Sequence, residues 1–203
     1  PLLAWIGGHT GRTWLTAGLV TVTAVYVVHL LAHFEATLRE GHQLTRADIA
    51  ALHLNGLAAY GGANWLIEAV SFSATAPVAF AFAFWHGAVA FWLATRQRDH
   101  ALHFAALAFT LLTVAIAIQF DGVGVTMGWA AEGAVVMWLG LREQREWLRV
   151  GGLALFALAA VQLLGLQFAT PTIDQVVFLN RRAGCGAFLV ALAYALAWIH
   201  HRR

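Results

Sequence analysis

Seven long apolar runs, separated by short segments that carry most of the charge, limit what this chain can fold into. They are Trp14 to Phe34, Ile49 to Phe72, Pro77 to Thr95, Ala101 to Ile118, Val125 to Leu141, Leu148 to Phe168 and Arg182 to Ile199. A hydrocarbon core about 30 Å thick takes ~20 mainly apolar residues per helix at ~1.5 Å rise each, and every run is close to that length. Membrane β-barrels show segments of about ten residues that alternate apolar and polar. Leu153 to Leu166, LALFALAAVQLLGL, has no such alternation. The sequence therefore predicts an all-α polytopic membrane bundle of about seven transmembrane helices, read as a single domain over residues 1–203. With 61% hydrophobic and 11% charged residues, against roughly 25% charged in a soluble domain, a water-soluble globule is excluded.

Local chemistry marks several boundaries. Thr45 and Asp48 before an apolar run predict a capping box, Pro77 suits a helix start, and Asp121-Gly122 and Thr170-Pro171-Thr172 read as turns. All 12 basic residues are arginine and fall between the runs, not along one face, which excludes a nucleic-acid surface. With seven crossings, Arg39, Arg46, Arg96, Arg98, Arg142, Arg145, Arg149, Arg202 and Arg203 share one side and Arg12, Arg181 and Arg182 the other. Basic residues favour the cytoplasmic side, so the expected orientation is N-terminus out and C-terminus in. The chain opens at Pro1 with no room for a signal peptide before the first run, and the expectation is a piece of a longer or processed chain. One cysteine, Cys185, offers neither a disulfide framework nor a cysteine metal site.

Ionisable groups inside a bilayer cost ~2.5–3.5 kcal/mol on the insertion scale, so each needs a partner or a function. Glu132, within GWAAEGAVVMWLG, has Gly128 one turn away to admit a neighbouring helix; it is either a packed, hydrogen-bonded carboxyl or a ligand, proton or ion site. Glu68, near Asn64 and Trp65, lies shallower. Gln119, Asp121, Asn180, Arg181 and Arg182, with Asp174, cluster toward the arginine-poor side. Two arginines there oppose the charge bias, so a carboxylate or a lipid phosphate is their expected partner. Among ten histidines, His29, His33, His53 and His86 are the haem or metal candidates, but no paired spacing on two spans repeats, which disfavours haem. His86, beside aromatics in WHGAVAFW, is expected to hydrogen-bond a neighbouring helix. Trp14, Trp65, Trp92, Trp147 and Trp198 fall near helix ends, as interfacial anchors do.

The stretch Thr110 to Leu141, TLLTVAIAIQFDGVGVTMGWAAEGAVVMWLGL, resembles the bacterial predicted membrane proteins called domain of unknown function 2339. The likeness lies in a Q-x-D-G turn, a W-A-x-E-G helix and a closing W-L-G-L before a basic loop. It continues to LNRRAGCGAFLVALAYA and, more loosely, covers Leu54 to Arg98. The resemblance singles out Gln119, Asp121, Gly122, Trp129, Glu132, Gly133 and Asn180, while Arg182 stands where the family often has an aromatic. It also implies a bacterial cytoplasmic membrane location and a short member or fragment of a family whose members are usually longer.

No HExxH, GxSxG, Walker or CxxC motif occurs, and no cofactor is expected. The leading expectation is a non-enzymatic envelope protein or subunit packed with lipids, further spans or protein subunits, without nucleic acid. The rivals are a carrier or lipid-handling protein with an outward polar site at Asp121, Glu132, Asn180 and Arg181, and a haem-binding electron-transfer subunit.

Overall fold

A computed structural model describes residues 11–40, 45–169 and 180–202. Its helices are α1 (Gly11–Glu40), α2 (Arg46–Glu68), α3 (Thr75–Leu93), α4 (Arg98–Gln119), α5 (Gly122–Arg142), α6 (Glu146–Ala169) and α7 (Arg181–His201), with a 3-10 turn at Phe72–Ala74. No strand occurs among the described residues, as expected for an all-α bundle. The Thr45 capping box forms: Asp48 N–H donates to Thr45 Oγ1 at 3.2 Å and Thr45 N–H to Asp48 Oδ2 at 2.9 Å. The expected turn at residues 170–172 lies outside the described residues.

Six helices, all but α2, are long and apolar enough to cross a membrane. The expected second span, Ile49 to Phe72, corresponds to α2 and falls short of that mark. The helix stops at Glu68, where Ser71 N–H turns back to Ile67 O at 2.8 Å. Its apolar character is diluted by His53, Asn55, Asn64 and three glycines. A helix that turns polar groups toward protein need not be hydrophobic all round.

The chain divides into two compact units, residues 1–115 and 116–203. In the first, α2 runs antiparallel along α1. A Cβ on Gly18 would meet Leu66 at 2.9 Å, one on Gly62 would meet Val22 at 3.2 Å, and Asn55 Nδ2 donates to Tyr26 O at 3.2 Å. Toward the other end, Leu30 and Leu52 share a buried cluster with Leu93 and Phe104. In the second unit, α5 and α6 are antiparallel and close enough that a Cβ on Gly133 would lie 2.9 Å from Gly152 O, and one on Gly140 2.7 Å from Arg149 N. Small residues permit such approach between membrane helices. The α5–α6 turn places Gln144 in the left-handed region at φ 54°, and Arg145 N–H donates to Gly140 O at 3.0 Å, closing the helix C-terminus as a Schellman motif does. Three helices end alike: Arg96 lies over Trp92 at 4.5 Å, Arg142 over Trp138 at 5.5 Å and Arg202 over Trp198 at 3.9 Å.

Candidate functional site

The best-built polar constellation centres on His86, which is wholly buried in the first unit. Its Nδ1 lies 2.7 Å from Phe82 O, and a carbonyl only accepts, so Nδ1 carries the proton. Nε2 is then the lone-pair acceptor for the Tyr26 hydroxyl at 2.9 Å. Trp85 Nε1 donates to that hydroxyl at 3.1 Å. Every hydrogen in the chain Trp85 to Tyr26 to His86 to Phe82 is thereby placed. The imidazole stacks with Phe104 at 6.1 Å and Phe82 at 6.3 Å. Gly56 makes room for it: a Cβ there would sit 3.2 Å from Nε2 and run into Leu107.

Tyr26 thus ties α1 to α3 through its hydroxyl and to α2 through its carbonyl. Such interhelical bonds are worth ~0.6 kcal/mol on average and up to ~1.7 in membranes. A second proton on Nε2 would make Tyr26 accept from both His86 and Trp85, leaving the phenol hydrogen unplaced. The arrangement is suited to holding helices together, not to cycling a proton.

Of the other histidines, His53 is close enough to His86 to interact with it electrostatically. His29 Nδ1 donates to Val25 O at 2.9 Å from an exposed position, and His53 Nδ1 to Ile49 O at 2.8 Å. The His33 side chain lies outside the described residues. His53 meets His103 edge to face, their ring centroids 5.7 Å apart. Among the described residues no group of three or more His, Cys, Asp or Glu side chains is placed to hold a metal ion.

In the second unit Glu132 is buried, 4% exposed. One turn earlier, a Cβ on Gly128 would lie 2.7 Å from Ile116, the close approach that the GWAAEG pattern suggests. Gln119 and Asp121 are exposed between α4 and α5, where Asp121 is the N-cap of α5 without a side-chain bond to it. Asn180 caps α7, its Oδ1 accepting from Ala183 N–H at 2.8 Å; Arg181 is exposed and Arg182 half-buried. Asp174 lies outside the described residues. Helix α7 runs parallel to α5, since Met137 and Leu141 line one cavity with Ala193, Leu196 and Ala197. Asp121 and Asn180 therefore sit at one end. Glu132 lies about 16 Å deeper along α5 at ~1.5 Å per residue, so these candidates occupy two levels. Glu68 is exposed at the end of α2.

Sequence reasoning placed His86 against a neighbouring helix but missed Tyr26, Asn55 and Trp85 as its network. No signal in local spacing points to them, because Tyr26 and His86 are 60 residues apart. No curated protein and no solved structure matches the chain. A family model described as Predicted membrane protein (DUF2339) matches residues 3–203, nearly the whole sequence and not just its second half, and the chain belongs to that family.

Proposed function

We propose that the chain is a non-enzymatic, multi-pass component of the bacterial cytoplasmic membrane, a helical scaffold that packs with lipid and with further spans or subunits. The observation that carries this reading is the uneven burial of its spans. The apolar windows of α1 and α7 are 11% buried and that of α6 17%, against 39% for α4 and α5. Val20, Val28 and Leu31 on α1, and Val190 and Tyr194 on α7, are exposed. The His86 network supports it, because both ring nitrogens are engaged in helix–helix and local bonding.

The proposed orientation, N-terminus outside and C-terminus in the cytoplasm, requires α2 to cross as a seventh span. Its antiparallel register beside α1, from Gly18–Leu66 to Tyr26–Asn55, supports that crossing. A carrier is the second reading, favoured by the buried carboxyl of Glu132 deep in α5.

Native mass spectrometry of the chain released from its own membrane tests the scaffold. A second copy or another membrane subunit is expected to remain attached. A bare monomer in every mild detergent refutes the reading, and a solute flux abolished by Glu132→Gln with the fold intact would replace it with the carrier.

A further inference from the structure

Near the Trp138, Trp147 and Trp198 end of the second unit, α5, α6 and α7 leave a cavity of about 340 Å³. Met137, Leu153, Phe156 and Leu196 form much of its wall, and Arg149 and His200 are its basic members. The lining surface is almost wholly apolar, so both present mainly carbon to it. The three tryptophans are exposed on three helices, the disposition of indoles at the headgroup level. The cavity therefore spans the depth at which a phospholipid passes from phosphate to acyl chain.

Arg149 is held without being used up. Its Nε donates to Gly140 O at 3.2 Å and its Nη2 to Gln144 Oε1 at 2.8 Å. A guanidinium has five N–H donors, so others remain for an anion. The described residues at this end carry Arg142, Arg145, Arg149 and Arg202 against Glu143 and Glu146, an excess of positive charge. A flexible acyl chain can follow such an apolar wall, and the positive charge beside it complements a phosphate better than it does the apolar face of a further helix.

We propose that this cavity binds one anionic phospholipid, an acyl chain lying among Leu153, Phe156 and Leu196 and the phosphate at its mouth, beside Arg149 and His200. This goes beyond a scaffold with surrounding lipid and stands whether or not the chain has partner subunits. Basic pockets between membrane helices suit anionic headgroups, each arginine contributing ~1 kcal/mol near the surface.

The test is native mass spectrometry of the full chain in detergent, with dioleoylphosphatidylglycerol competing against dioleoylphosphatidylcholine. The expected preference for phosphatidylglycerol is about tenfold. Arg149→Gln combined with His200→Gln brings it close to parity. Because Arg149 also ties the end of α5, Ala193→Phe is a second variant that fills the cavity without touching that arginine; it lowers retention of both lipids several-fold. Arg46→Gln, on the other unit, leaves the preference unchanged. Equal retention of the two lipids by the unaltered chain overturns the proposal. So does undiminished binding in both cavity variants, an equal loss in Arg46→Gln, or a second protein chain occupying the cavity in place of lipid.

Discussion

Alanine at Gly152 should separate α5 from α6, and the size of the effect follows from what the new methyl group meets. A Cβ there would lie 2.6 Å from Met137 N, 2.8 Å from Gly133 O and 2.9 Å from Met137 Cα. All three are backbone atoms, so no side chain can swing aside. Restoring ordinary contact at 3.4 Å requires the helices to part by about 0.8 Å. A gap of 0.5–1 Å forfeits roughly a quarter to a half of each contact's ~0.1–0.2 kcal/mol, so some tens of atom pairs lose about 2 kcal/mol. Overpacking penalties of ~1–3 kcal/mol bracket this figure. Alanine's better helix propensity offsets up to ~1 kcal/mol, so the control must carry the same gain. Gly165, on the same helix, provides it, since a Cβ there meets nothing within 4 Å. In mixed-micelle unfolding followed by circular dichroism, Gly152→Ala should be about 2 kcal/mol less stable than Gly165→Ala. Gly133→Ala added to Gly152→Ala should cost less than the sum, because one separation relieves both clashes. Equal stability of the two single variants would refute the packing argument.

Tyr26→Phe removes the hydroxyl that serves both His86 and Trp85, and unfolding in micelles should register a loss of about 1–2 kcal/mol; adding His86→Phe should then cost little more for the paired donor and acceptor, and full additivity would contradict the network. Gln144→Val places a β-branched residue at φ 54° and should destabilise by ~1–2 kcal/mol, with no loss in Gln144→Val arguing against the left-handed turn. Asn180→Ala should cost about 1 kcal/mol through the lost α7 cap, readable as increased amide exchange at Ala183. With Cys185 replaced by alanine, cysteines at residues 47 and 70, at the two ends of α2, should label from opposite sides of the membrane, the second from outside; labelling of both from one side would remove α2 as a span.

The parts of this architecture that depend on local chemistry were readable in the sequence. Hydropathic length located the spans, Thr45 and Asp48 announced the start of α2, and the Gly128–Glu132 spacing anticipated a close helix approach where Gly128 faces Ile116. The limits of α2 were harder to read, because His53, Asn55 and Asn64 weaken its hydropathy while its path is set by packing on α1. Tyr26 looked like one more aromatic among valines; its role depends on a histidine two helices later. The left-handed residue at 144 carries glutamine where glycine would have signalled it, since its side chain bonds Leu141 O at 3.0 Å and accepts from Arg149.

The tryptophan–arginine pairs that end α5 and α7 also bear on how the second unit meets bilayers of different thickness. Each pair puts an interfacial indole and a guanidinium stacked on it, a contact worth ~0.5–1 kcal/mol at exposed sites, at one level of one helix. Both pairs belong to parallel helices. That end is doubly anchored. The opposite ends begin at Gly122, with φ 36°, and at Arg181 after the Asn180 cap, and neither first turn carries a tryptophan. Hydrophobic mismatch is relieved where anchoring is weakest, so a thinner bilayer should shift the Gly122 and Arg181 ends while Trp138 and Trp198 keep their depth. Spin labels at residues 123 and 139, read in bilayers of graded acyl length, should move by unequal amounts; equal movement would mean that the stacked pairs set no depth.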